Sequence, residues 1–345
     1  GMDRFTEPYF GSLTEMHAKP PRRPRMALPD VCQLGPIRIA ADEMVAFARR
    51  FDPQPFHVDE QAAEGTLLGG LAASAWFTCT KIMGEISRFA FRHSFVLDLA
   101  GAEQIILMGP VRGDDLLTIT LFLSDETLCA CGDHVRRGRV EAVNQMGDVV
   151  MRMMLDCVLS PRESGLKAAN VICPLRQGRA ARVARAPRRD AIRYFEDVVI
   201  GSEIDLGRYT FGPEAVDEFN ACTANGAQHG GSSTGPGRRE VPIWHLPAAW
   251  MQRMVRFYEE ESKQRAASGE SIPRLGPATG FKQLRWHRPV AIGETITFRG
   301  WAERKLDIAS QHHWGLLVVG AEGLDADGEK VVSFYPQMLL ERRNP

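Results

Sequence analysis

One order of elements is written twice along this chain of 345 residues. Each copy opens on a short strand-like run, Ile37 to Ile39 in the first and Gly207 to Thr210 in the second. A short helix follows. In the first copy Met44, Phe47, Ala48 and Phe51 recur at helical spacing after the acidic pair Asp42-Glu43. In the second, Pro213 takes a first-turn position ahead of Val216 and Phe219. Next comes a longer, more apolar helix. The spacing predicts it over roughly 70–87, with Leu71, Ala75, Cys79, Ile82, Met83 and Ile86 on one stripe and Trp76 and Phe77 on another side. Its counterpart runs from Leu246 to Tyr258, with Pro247 near its start. Strands close each copy: Pro110-Val111 and Pro289-Val290 precede Leu117-Thr118 and Ile296-Thr297 at one offset, and Asp115 matches Glu294. Gly147-Asp148 and Gly328-Glu329, each between apolar runs, are hairpin signals.

A helix that is apolar nearly all round must be covered by a sheet. A sheet wrapped around one central helix is the hot-dog arrangement. The expected fold is therefore α+β: a double hot-dog of two tandem domains, each an antiparallel sheet around a central helix. The chain length suits two domains of about 150 residues. Residues 1–30, with PPRRPR at 20–25, read as an extended arm. The first domain is expected over 31–160, a basic linker over 161–190 ending in RQGRAARVARAPRRD, and the second domain over 191–345.

A formal net charge of -1 gives no general attraction to nucleic acid or to anionic membrane. No apolar run approaches the roughly 20 residues needed to span a bilayer. The N-terminus lacks a basic start, an apolar core and a small-residue cleavage site, which implies a cytoplasmic protein. The seven cysteines are odd in number and scattered, unlike a disulfide framework. Cys129, Cys131 and His134 form the tightest cluster, but a metal site needs a fourth ligand, so no metal is expected.

The chemistry-bearing segment is Phe51-Asp52-Pro53-Gln54-Pro55-Phe56-His57-Val58-Asp59. Its two prolines favour extended geometry and stiffen the turn. The turn carries an acid, Asp52, and an imidazole, His57, five residues apart. Hydration of a conjugated thioester needs a group to deprotonate a water and a group to pass a proton to the α-carbon, and this pair can supply both. Asp59 reads as a helix cap before Glu60. Ser74 reads as a helix-start hydroxyl, since no nucleophile elbow surrounds it.

This segment resembles the hydratase motif of the MaoC-like, R-specific enoyl-CoA hydratase family, in which an Asp and a His at this spacing flank the catalytic water. The resemblance extends to Ala46–Arg50 before the turn, to Leu68–Ser74 after it, and to Pro110-Val111-Arg112 and Asn144-Gln145-x-Gly147. It covers about 37–160 closely and 191–342 more loosely. It implies a lyase acting on acyl thioesters: hydration of a 2-enoyl-CoA, or dehydration of a 3-hydroxyacyl-CoA. Asp52 and His57 would be catalytic, with Asp52 favoured as the group that takes the water's proton. Gly70, Ser74 and Ala75 would form the oxyanion and substrate-binding positions, where a helix-start N–H faces the thioester oxygen. Two positions depart from the pattern: Ala73-Ser74-Ala75 stands where Ala-His-Gly is common, and Gln54 where Asn is common.

The family implies no cofactor beyond the coenzyme A of the substrate, and an acyl carrier protein could replace that carrier. Arg49, Arg88 and Arg112 are candidates for its phosphates, with none singled out. Two hot-dogs in one chain supply the pairing that single-domain relatives gain by dimerising, so a homodimer is open but not required. Aligning Phe47 with Phe219 sets His57 opposite His229 and Asp52 opposite Ala224. One active centre per chain is therefore expected, in the first half. Two rivals stand beside the lyase. A hot-dog thioesterase needs a carboxylate on the central helix, where only Glu85 is available. A non-catalytic acyl-thioester binding module has no reason to keep both Asp52 and His57 on a rigid turn.

Overall fold

The computed structural model describes residues 28–124, 127–128, 134–161, 192–223 and 239–343. The arm up to residue 27, the linker from 162, Cys129, Cys131, Cys173, Ala224 and His229 lie outside the described residues.

The first half contains β1 (Val31–Arg38), α1 (Ala41–Phe51), α2 (Pro55–Val58), α3 (Glu60–Glu64) and α4 (Ala75–Arg92). It continues through β2 (Phe95–Leu107), β3 (Leu116–Leu123), β4 (Thr127–Leu128), β5 (His134–Val143) and β6 (Val149–Pro161). The second half has a 3-10 turn at Phe195–Asp197, then β7 (Glu203–Thr210), α5 (Pro213–Thr223) and α6 (His245–Ala267). It closes with β8 (Leu275–Trp286), β9 (Thr295–Asp307), β10 (Trp314–Leu324) and β11 (Lys330–Glu341).

The strands form one antiparallel sheet of order β1-β3-β5-β6-β2-β8-β11-β10-β9-β7, with β4 paired to β5 at the side. Read from either edge inward, the two halves have the same strand order. Each half curls around its own helix, α4 against β1 and β2 and α6 against β7, β9 and β10. This is the double hot-dog expected from the repeated pattern.

The repeat holds at the level of single hydrogen bonds. Ile39 N–H donates to Asp115 O at 2.9 Å, and Phe211 N–H to Glu294 O at 2.9 Å. The Asp115 carboxylate accepts from Arg112 N–H at 2.8 Å, and the Glu294 carboxylate from Ala291 N–H at 2.6 Å. The two terminal hairpins also match. Asn144 Oδ1 accepts from the N–H groups of Met146 and Asp148, and Asp325 Oδ1 from those of Asp327 and Glu329. Gly147 (φ 85°) and Gly328 (φ 80°) take the left-handed position each turn requires.

The central helix starts at Ala75, five residues later than its apolar stripe predicts. Residues 71–74 stay outside the helix instead, because Ala72 N–H donates to Phe56 O at 3.0 Å and Ala73 N–H to Val111 O at 2.8 Å. Helix α6 runs past the predicted Tyr258 to Ala267. Its apolar pattern stops there, but its polar tail is made of good helix formers, and Arg265 ties it to Ile192 O at 2.8 Å.

The halves meet through aromatic rings. Trp76 of α4 lies 4.1 Å from Phe281 of β8, and Phe51 of α1 lies 5.4 Å from Phe219 of α5. One ring position is polar. Val241 N–H donates to Val290 O as Ala73 N–H does to Val111 O. In that frame His245 takes the place of Phe77. Phe77 lies 5.5 Å from Phe47, and His245 stacks on Phe219 at 4.6 Å. Tyr209 Oη and His245 Nε2 lie 3.0 Å apart, within hydrogen-bonding distance.

Burial pushes the pKa of His245 down to about 3. The folded chain therefore keeps this imidazole neutral, while the unfolded chain protonates it near its ordinary value of about 6.5. Its contribution is complete above that pH and is lost as pH falls toward the folded value. At pH 5 the loss amounts to about 2 kcal/mol. Denaturant titrations from pH 8 to pH 5 should show this slope, and His245→Phe should flatten it. An equal slope in that variant would assign the acid sensitivity elsewhere.

Candidate active site

Helix α1 buries Met44, Phe47, Ala48 and Phe51 and ends at Asp52, whose backbone N–H donates to Ala48 O at 2.9 Å. The chain then turns sharply. Gln54 is extended, as the prolines predict, but Pro55 opens the four-residue helix α2 rather than continuing the extension. Proline suits a first helical position because its missing N–H would have no partner there. Gln54 O accepts from His57 N–H at 2.9 Å, which fixes the turn carrying both candidate side chains. Asp59 caps α3 by accepting from Ala62 N–H at 3.0 Å.

The turn brings Asp52 and His57 together. Asp52 Oδ2 lies 3.4 Å from His57 Nε2. The carboxylate is held from two further directions: Gln54 Nε2 donates to Oδ1 at 2.7 Å and Ser74 Oγ donates to Oδ2 at 2.7 Å. The imidazole is held from behind, with Nδ1 2.7 Å from Ala72 O. A carbonyl only accepts, so Nδ1 carries the proton, and in the neutral ring Nε2 is left with its lone pair. Phe56 packs edge-on against the ring at 4.6 Å. Asp52 is 3% exposed and His57 7%, so the pair faces the interior.

Ser74 sits at the start of α4, as expected, but its hydroxyl does not cap the helix. It is turned to Asp52 instead, so the hydroxyl leaves the first-turn N–H groups of α4 uncovered. Ala75 begins that helix, beside Ser74. Gly70 stands four residues before Ser74. It lies in the loop before α4, where an added Cβ would come within 3.3 Å of the Arg112 guanidinium. A close approach by Arg112 accounts for this glycine.

The sequence shows Gln54 only as a departure from the motif and gives no sign of its bond to Asp52, of the Ser74–Asp52 bond or of the Ala72 carbonyl. The last two pair residues 22 and 15 positions apart, and no local spacing signals them. Among the phosphate candidates, Arg88 pairs with Glu85 at 3.0 Å and Arg112 turns to main-chain carbonyls. Two buried thiols lie away from the turn. Burial pushes Cys79 up strongly and Cys157 up to about 12, which makes both inert.

No family model and no curated protein matches the chain. Solved structures do. A Chloroflexus aurantiacus protein described as a MaoC-domain dehydratase superposes with a TM-score of 0.63 at 14% identity, over 92% of this chain and 97% of that one. A structure described as a MaoC-like dehydratase gives a TM-score of 0.61 at 18% identity, over 91% and 97%. A conserved Mycobacterium tuberculosis protein, described as a double hot-dog fold, gives 0.63 at 12% identity, over 91% and 97%. Among the described residues, no helix is long and apolar enough to cross a membrane.

Proposed function

Taking as premise that this chain has the double hot-dog fold, we propose that it is a MaoC-like hydro-lyase of acyl thioesters. It would reversibly hydrate a 2-enoyl-CoA and dehydrate the 3-hydroxyacyl-CoA. The observation that carries this reading is the 3.4 Å approach of Asp52 Oδ2 to His57 Nε2, with each group restrained from behind. A water about 2.8 Å from both atoms can donate one hydrogen to each.

The family resemblance favours Asp52 as the group that takes the water's proton. The hydrogen bonds support another division of labour. With Nδ1 committed to Ala72 O, a neutral His57 has no proton on Nε2 to give but can accept one there. As the water oxygen bonds to the β-carbon, one of its protons passes to Nε2. The resulting imidazolium faces the Asp52 carboxylate and hands that proton to the α-carbon. Asp52 holds the water's other hydrogen and stabilises the transient positive charge. The water's hydroxyl and proton are thereby both added across the double bond. The uncovered N–H groups at the start of α4, beside Ala75, supply donors for the enolate oxygen. Because the pair is buried, this reading requires the acyl group to reach it within the fold rather than along the surface.

The thioesterase reading fares worse. Glu85, the acid of α4, lies about three turns from the helix start and pairs with Arg88 at 3.0 Å and Arg92 at 3.6 Å. Incubation with a panel of 2-enoyl-CoAs separates the two. A lyase removes the ultraviolet absorbance of the conjugated thioester without releasing thiol. Thiol release with no hydroxyacyl product would replace this proposal by hydrolysis.

Ser74→Ala tests the support of the carboxylate. It removes a hydrogen bond to a charged group, so kcat should fall about tenfold or more, with KM within about threefold. Unchanged kcat would show that Gln54 alone holds Asp52.

A further inference from the structure

Arg112 is a charged side chain at the edge of the site that no step above uses. It is half-buried and precedes β3. Its guanidinium donates to two main-chain carbonyls, Leu71 O at 3.0 Å and Leu68 O. No carboxylate pairs with that guanidinium among the described residues. Its backbone N–H is fixed by Asp115 Oδ2 at 2.8 Å, and Gln145 Nε2 holds Asp115 Oδ1 at 3.0 Å.

These contacts form a chain that ends on His57. Leu71 leads directly into Ala72. The N–H of Ala72 donates to Phe56 O, and its carbonyl accepts from His57 Nδ1. The next N–H, of Ala73, donates to Val111 O. Residues 68–73 are thus pinned on one flank by the turn that carries the dyad and on the other by Val111-Arg112. The segment contains Gly69, in the left-handed region (φ 64°), and Gly70, which have no side chains to anchor it. The planar guanidinium fork supplies that anchor and bridges two carbonyls at once. A guanidinium engaged in this way is not offered to a coenzyme phosphate.

We propose that Arg112 is a positioning residue. It fixes the 68–72 segment so that the Ala72 carbonyl keeps the proton of His57 on Nδ1 and leaves Nε2 free beside Asp52. The kinetic consequence rests on the lyase reading; the effect on the imidazole does not.

Full-length Arg112→Ala and Arg112→Lys proteins test it with two readouts. Nitrogen-15 NMR of the histidine rings at a pH of about 8, with His57→Gln used to assign the signals, should show a protonated Nδ1 and an unprotonated Nε2 in the parent. Arg112→Ala should give averaged signals from both tautomers. Its kcat should fall about 10- to 100-fold with KM within about threefold, and added millimolar guanidinium should restore part of the loss. Arg112→Lys should fall between, because one ammonium cannot brace both carbonyls, and it carries the same readouts if the alanine variant does not fold. An unchanged His57 signature in a folded variant overturns the proposal. So does a raised KM at constant kcat, which would make Arg112 a substrate anchor. A parent that hydrates no enoyl thioester sinks the lyase reading alone, since the ring signals are read without substrate.

Discussion

Asp52→Asn should lower kcat/KM for enoyl-thioester hydration by about 100-fold or more, a barrier increase of about 3 kcal/mol. The substitution keeps the shape of the side chain and removes its charge. It acts on the proposed chemistry twice. An amide cannot stabilise the imidazolium that forms when His57 takes a proton, and its NH2 end cannot accept a hydrogen from the water. The fold should survive. Asp52 accepts from both Gln54 Nε2 and Ser74 Oγ, and asparagine offers one acceptor oxygen in place of two. One of those bonds is therefore lost or reversed, at a cost of about 1 kcal/mol. A folded Asp52→Asn protein with parental activity would remove the dyad from the mechanism and leave only the architecture. The companion change, His57→Gln, should be at least as damaging, since a neutral amide supplies no proton carrier.

The architecture was legible because its signals are local and repeated. Two apolar helices and two Gly-acid hairpins at matching offsets dictate two helix-wrapping sheets, and the strand order is symmetric about β2 and β8. The Asp52/His57 spacing was legible for the same reason: one stiff turn holds both residues. What escaped was everything set by long-range approach. The start of α4 was misjudged because its apolar stripe extends back to Leu71, whose neighbours Ala72 and Ala73 spend their N–H groups on Phe56 and Val111 instead. Gly70 gave no hint in sequence that its missing side chain makes room for Arg112. Ser74 read only as a helix-start hydroxyl, a place where serine usually caps. Only the fold shows that Asp52 lies within reach of its hydroxyl. His245 gave no signal at all, since a buried imidazole replacing the ring of Phe77 looks in sequence like any polar residue before a helix.

The second large effect belongs to the seam between the halves. There β2 pairs with β8 through Gly101↔Arg285, Ala102↔Leu284, Gln104↔Lys282, Ile105↔Phe281 and Ile106↔Gly280. A glycine stands near each end of this run. A Cβ added at Gly280 would lie 2.5 Å from Ile105 O, and one at Gly101 would lie 2.5 Å from Leu284 O. Both obstacles are main-chain oxygens of the facing strand, so no side-chain rotation relieves them. Gly280→Ala can be accommodated only if β8 moves away from β2, stretching the ladder and lifting Phe281 from Trp76, against which it packs at 4.1 Å. The expected loss is about 2–3 kcal/mol in denaturant unfolding, at the upper end for overpacking because backbone must shift. Gly65→Ala is the control: nothing lies within 4 Å of its added Cβ, and its stability should stay within about 0.5 kcal/mol of the parent. The strain also reaches the site, because Trp76 belongs to the first turn of α4, next to the N–H groups proposed to face the thioester. Gly280→Ala should therefore lower kcat in protein that is still fully folded. Parental stability and activity together would mean that the two halves are not held by this pairing, and that the route from the seam to the dyad through Trp76 carries no strain.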